Sequence, residues 1–128
     1  MNKLKLTLAL TVLALAALAV TGCKPEDDSV SVKERMQMFI EDANAGDYGS
    51  LKAHTHPSAT SYNTADSNYW YTFFVSGAQL PLSNLSISGN TATASGSGSI
   101  TYQFTLLEDG DDVYKIRTIT PSSGTPFN

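Results

Sequence analysis

The chain has 128 residues, with 8 Lys and Arg against 12 Asp and Glu, and a formal net charge of −4. That length holds one domain with a modest core, and the acidic balance excludes nucleic acid and anionic lipid headgroups as partners, since both need clustered cations. One cysteine excludes an internal disulfide, so the fold rests on packing alone.

Lys3 and Lys5 precede Leu6 to Val20, an uncharged run of Leu, Ala, Val and Thr. A basic start before such a run is a secretory signal and not part of the fold. Leu4 to Gly22 approaches the ~20 apolar residues that span a bilayer, so length alone leaves an uncleaved anchor open. Val20-Thr21-Gly22-Cys23 then resembles the lipobox of bacterial lipoproteins, an aliphatic residue and two small ones before Cys. The resemblance implies cleavage between Gly22 and Cys23, with diacylglycerol on the sulfur and a further acyl chain on the new amine. Two or more such chains anchor a protein stably.

Cleavage would leave 106 residues and, without Lys3 and Lys5, a net charge near −6. Lys24 to Ser29 reads as a polar tether. By the same resemblance, a residue other than Asp after the lipidated Cys favours the periplasmic face of the outer membrane. Glu26-Asp27-Asp28 is loosely similar to surface-export signals of some lipoproteins, which keeps surface exposure open, although a solvated linker is the preferred reading. The expected layout is a signal peptide at 1–22, lipidated Cys and tether at 23–30, one α+β domain at 31–120 and a loose tail at 121–128.

Ser31 and Glu34 have capping-box spacing. Val32, Met36, Phe39, Ile40 and Ala43 then form one helical stripe, which Gly46 ends. Asp47 caps a shorter helix with Tyr48 and Leu51, stopped by Pro57. A third helix is expected from Asp66 to Val75, with Tyr69, Trp70, Phe73 and Phe74 inward. From Leu80 the period becomes two. Leu80 and Leu82 take one parity and Leu85 and Ile87 the other, which a bulge near Ser83-Asn84 reconciles. Ser88 to Thr91 is a turn, and Gly96 and Gly98 mark the next reversal. Ile100, Tyr102, Phe104 and Leu106 alternate with polar residues. Glu108 to Asp112 is a hairpin loop, and Tyr114, Ile116 and Thr118 continue the inward parity until Pro121. Helices followed by an antiparallel meander give an α+β fold, N-terminal helices on a four-stranded sheet.

Phe39 to Tyr48 is similar to the "F…AxNAGDY" helix ending of small lipoproteins in the nuclear-transport-factor-2-like superfamily. Tyr102 to Gly110 with Val113 to Ile116 resembles that group's closing hairpin, with Tyr114 where Trp is usual. The resemblance implies a helix-on-sheet cone. Its enzymes line the cone with Asp, Glu or His plus tyrosines.

His54 and His56 are the best candidates for chemistry. On a strand they would share a face, but a zinc site needs three protein ligands and no third is suggested, so no metal or cofactor is expected. A pair at a helix end, with protonation favoured by the C-terminal dipole, is the preferred reading. The inward strand face carries no carboxylate, and only His54, His56 or Asp66 could reach a cone mouth. General acid-base chemistry needs such a group beside substrate, so a non-enzymatic accessory or binding module is expected. The alternative is a cone-pocket protein that binds or transforms an apolar small molecule, isomerase- or dehydratase-like. Candidate pocket residues are His54, His56, Trp70, Tyr102 and Tyr114. Ala92 and Ala94 could leave space beneath the aromatic cluster, which could otherwise be a platform for a sugar or lipid, or core. Asp109, Asp111 and Asp112 lack the spacing of a calcium loop. Beyond the membrane anchor, the expected partners are an envelope protein or a small apolar ligand. The outer sheet face, inferred as Thr91, Thr93, Thr101, Gln103, Thr105, Lys115 and Arg117 with Leu107 and Ile119 as apolar exceptions, points to a monomer.

Overall fold

The computed structural model describes residues 29–128. The lipobox, Cys23 and most of the tether lie outside the described residues. Helix α1 spans Val32–Asn44. The Ser31 hydroxyl accepts from the Glu34 amide at 3.2 Å and donates to Glu34 Oε1 at 3.2 Å, so half of the capping box forms as expected. Gly46 ends the helix at φ +74°, a conformation that costs glycine little. A 3₁₀ helix follows at Tyr48–His54, before Pro57, and a shorter one at Tyr62–Thr64. Helix α2 spans Ser67–Phe73, capped by Asp66 Oδ1, which accepts from the Tyr69 amide at 2.8 Å.

Four strands follow: β1 (Ser83–Ser88), β2 (Thr91–Ser95), β3 (Thr101–Glu108) and β4 (Tyr114–Pro121). They form one antiparallel meander in the order β1-β2-β3-β4. The architecture is therefore α+β, with helices packed on a four-stranded antiparallel sheet. The β1 register shifts between Ser83 and Ser86, with Asn84 at φ +55°, where a bulge was expected. The strand itself starts at Ser83 and not Leu80. Leu82 is instead held by a two-way clasp with Asn44, whose Oδ1 accepts from its amide at 2.7 Å while Nδ2 donates to its carbonyl at 3.0 Å. Gly96 turns the chain toward β3. A Cβ there would meet Gln79 O at 2.6 Å, so only glycine fits.

The core lies between α1, α2 and the inner sheet face. Phe39, Trp70, Phe74 and Phe104 have no exposed surface, and Tyr102 is 1% exposed. Phe39 meets Trp70 and Phe104 edge-to-face at 5.7 and 5.8 Å, a favoured ring geometry. Ala92 and Ala94 are buried in the same cluster.

Two expectations need correction. The inward parity of β4 does not continue through Thr118. Leu106 pairs with Ile116 and Thr105 with Thr118, so Arg117 is an extra residue that flips the parity. Ile119 consequently turns inward and is fully buried, while Thr118 hydrogen-bonds Thr105 through their hydroxyls. The segment after Pro121 is not loose. Phe127 is fully buried, its backbone pairs with Ile119 at 2.8 and 2.9 Å, and Asn128 O accepts from the Ser61 amide at 2.7 Å. The reason is apolar: Phe127 packs on Trp70 at 5.1 Å and on Tyr69 at 6.2 Å.

Candidate functional site

The described residues offer two arrangements of interest, a buried polar relay and an open cavity. The relay begins with Arg35, one turn beyond Val32 on the apolar stripe of α1 and 8% exposed. Its Nε donates to Tyr114 O at 2.7 Å, and its Nη1 lies 2.9 Å from His54 Nδ1. A guanidinium only donates. His54 Nδ1 must therefore accept, which puts the ring proton on Nε2, and Nε2 donates to Asp42 Oδ2 at 2.7 Å. Burial pushes the Arg35 guanidinium down from its ordinary value, partly opposed by the field of Asp109. The relay ties α1, the first 3₁₀ helix and β4 together. Both ring nitrogens of His54 are hydrogen-bonded and the residue is 8% exposed, so it is poorly placed to reach a substrate.

His56 is separate. Its Nε2 donates to Glu108 O at 2.9 Å, and its Nδ1 accepts from the Ser58 amide at 3.0 Å. Both histidines sit at or just after the end of the 3₁₀ helix, and each is committed to other partners. Among the described residues no group of three or more His, Cys, Asp or Glu could hold a metal ion.

Trp70 is core, with Nε1 donating to Ala65 O at 3.1 Å. The Tyr102 hydroxyl donates to Gln79 Oε1, and burial pushes its phenol up to about 12. The Tyr114 hydroxyl donates to Glu108 Oε1 at 3.1 Å, a bond that raises its pKa.

The cavity, of about 550 Å³, lies between α2 and the segment after β4. Its aromatic side is Tyr69 and Phe73, four residues apart on α2, and its far wall is Pro121 and Ser123 to Thr125. Thr64, Asp66, Asn68, Thr72, Val75 and Gln79 complete the lining. None of the five sequence-picked pocket residues, His54, His56, Trp70, Tyr102 and Tyr114, lines it. Trp70 and Tyr102 stand directly behind its aromatic side, and the other three belong to the α1–β4 side. Asp66 does line it. Burial raises the Tyr69 phenol, against a lowering hydrogen bond to Ser61. A second hollow, of about 600 Å³ between α1 and β1, has no aromatic residue in its lining.

Sequence reasoning missed the two partners of His54. The signal for Arg35 was a cation at a stripe position, i+3 from Val32. No pattern marked Gln79 or the far wall, which the buried Phe127 holds in place. No protein-family model matches the chain, and comparisons with curated proteins and with solved structures return no match.

Proposed function

We propose that the chain is a lipid-anchored lipoprotein of the bacterial cell envelope whose folded domain is a non-enzymatic binding module. The domain takes its anchor from Cys23, after cleavage at Gly22, and its helix-on-meander order agrees with the nuclear-transport-factor-2-like cone suggested by Phe39 to Tyr48. The outer membrane, periplasmic face, is the favoured address, from Lys24.

One observation carries the binding reading: the open cavity beside α2 combines aromatic side chains with a polar rim. Its only titratable side chains are Asp66 and Tyr69. The Asp66 carboxylate already accepts the α2 cap bond, and burial keeps Tyr69 protonated. Small-ligand sites are concave, largely preformed and carry a few converging polar groups. Phe39, Trp70, Phe74 and Phe104 fill the space between the helices and the sheet, which supports the binding module, whereas Asp66 in the cavity lining supports the cone-pocket alternative.

The anchor is tested in cells. Cys23→Ser should abolish fatty-acid labelling and leave the precursor unprocessed. Undiminished labelling would sink the lipoprotein reading.

A further inference from the structure

We infer that the cavity between α2 and the segment after β4 binds a neutral saccharide, an inference that rests on the reading of the domain as a binding module. Three features of the lining select that ligand class.

The first is shape. The Tyr69 and Phe73 rings both line the cavity, 6.1 Å apart with 19° between planes. Trp70 meets both almost edge-on, at 5.1 and 5.5 Å, and its full burial holds them in place. A fixed aromatic lining suits a ligand with a flat apolar face. A pyranose has one in its axial C–H groups. A flexible acyl chain has none and gains most from an enclosed apolar channel, whereas Thr64, Ser123, Gly124 and Thr125 stand beside Val75 and Pro121 in this lining.

The second is the rim. Asn68 and Gln79 place two amides at the cavity, with the Thr72 hydroxyl beside them. A primary amide offers a donor and an acceptor side by side, which matches a pair of neighbouring hydroxyls. Gln79 Oε1 is taken by the Tyr102 hydroxyl, which orients the amide and leaves its NH₂ group as the donor. The Asn68 amide has no hydrogen-bond partner among the described residues.

The third is charge. No Lys, Arg or His lines the cavity, so a phosphate, sulfate or uronate would be desolvated without a counter-charge. The single carboxylate, Asp66, gives Oδ1 to the α2 cap, and its Oδ2 can still accept from a ligand hydroxyl. A neutral polyhydroxylated ligand needs no counter-charge. The volume falls within the range of about 300–1,000 Å³ usual for small-ligand sites, and a disaccharide fits it.

The test uses the full-length lipidated protein, in a detergent without a sugar headgroup. Cellobiose, maltose and N,N′-diacetylchitobiose are titrated to about 10 mM, a range that captures weak sites. The Asn68 and Gln79 side-chain amide resonances report occupancy, and indole serves as an apolar control. At least one disaccharide should bind saturably. Phe73→Leu and Asn68→Ala should each weaken it by about tenfold. Asn68 is exposed, so that variant should keep its melting temperature and separates binding from folding. Sugar binding indifferent to both substitutions would overturn the assignment of the site. Indole binding that depends on Phe73, with every sugar silent, would overturn the ligand class and leave the binding module standing. Silence toward sugars and indole alike would remove both.

Discussion

A single proton position organises the relay. Because Arg35 can only donate to His54 Nδ1, the ring has its hydrogen on Nε2 and directs it at Asp42. Imidazole ¹⁵N spectra of the neutral ring should show His54 Nδ1 unprotonated and Nε2 protonated, and the reverse tautomer would contradict the geometry. Tyr102 makes a second prediction. Burial moves its phenol from 10.0 to about 12, so the folded domain keeps a proton that the unfolded chain releases. That stabilisation is complete below pH 10 and is lost as pH rises toward 12, a change of roughly 2–3 kcal/mol. Urea midpoints should fall across this window in the parent and fall less in Tyr102→Phe, which removes the ionising group. Equal slopes for the two proteins would show that Tyr102 is not the group responsible. Residues of this kind were only partly legible in the sequence. Trp70 and Phe104 were readable as core because each sits at an inward position of a periodic element. His54 was readable as a candidate, but not its partners, because Asp42 and Arg35 reach it through tertiary packing that local spacing does not encode.

At the scale of elements, the helical stripe, the β1 bulge and the meander follow from periodicity, and all three form where the pattern changes predicted them. The departure in β4 has a simple cause. One extra residue, Arg117, shifts the side-chain alternation, and no short-range signal distinguishes a bulged strand from a straight one. The docking of the segment after Pro121 was equally hidden. Ser122 to Pro126 is polar or turn-forming, and a lone Phe127 gives no period to read. Its burial makes it a structural residue. Phe127→Ala should cost about 3–5 kcal/mol, as aromatic-to-alanine core changes do, and lower the melting temperature by more than about 10 °C. A melting curve indistinguishable from the parent would show that the segment is dispensable.

For the whole molecule, the parity flip bears on assembly. With Ile119 turned inward, Leu107 remains as the exposed apolar residue on an outer face otherwise built from Thr93, Thr101, Gln103, Thr105, Thr118 and Lys115. Stable homodimer interfaces are more apolar than this, and Lys115 is already paired with Asp109 at 2.8 Å. The proposed state is therefore a monomer, and sedimentation of the protein at micromolar concentration should give a single species of monomer mass. A tight dimer would instead place a second copy on the sheet.

The aromatic cluster joins Phe39, near the start of the domain, to Phe127, beyond its last strand. Contacts this distant in sequence form slowly, because the intervening chain must be gathered before they reward it. Until residue 127 has been synthesised, Trp70 lacks its neighbour and the hydrophobic centre stays unsealed. A chain timed in this way remains threadable while it is being made. On the proposed reading of the chain as an exported lipoprotein, that delay would keep it extended until it has crossed the membrane.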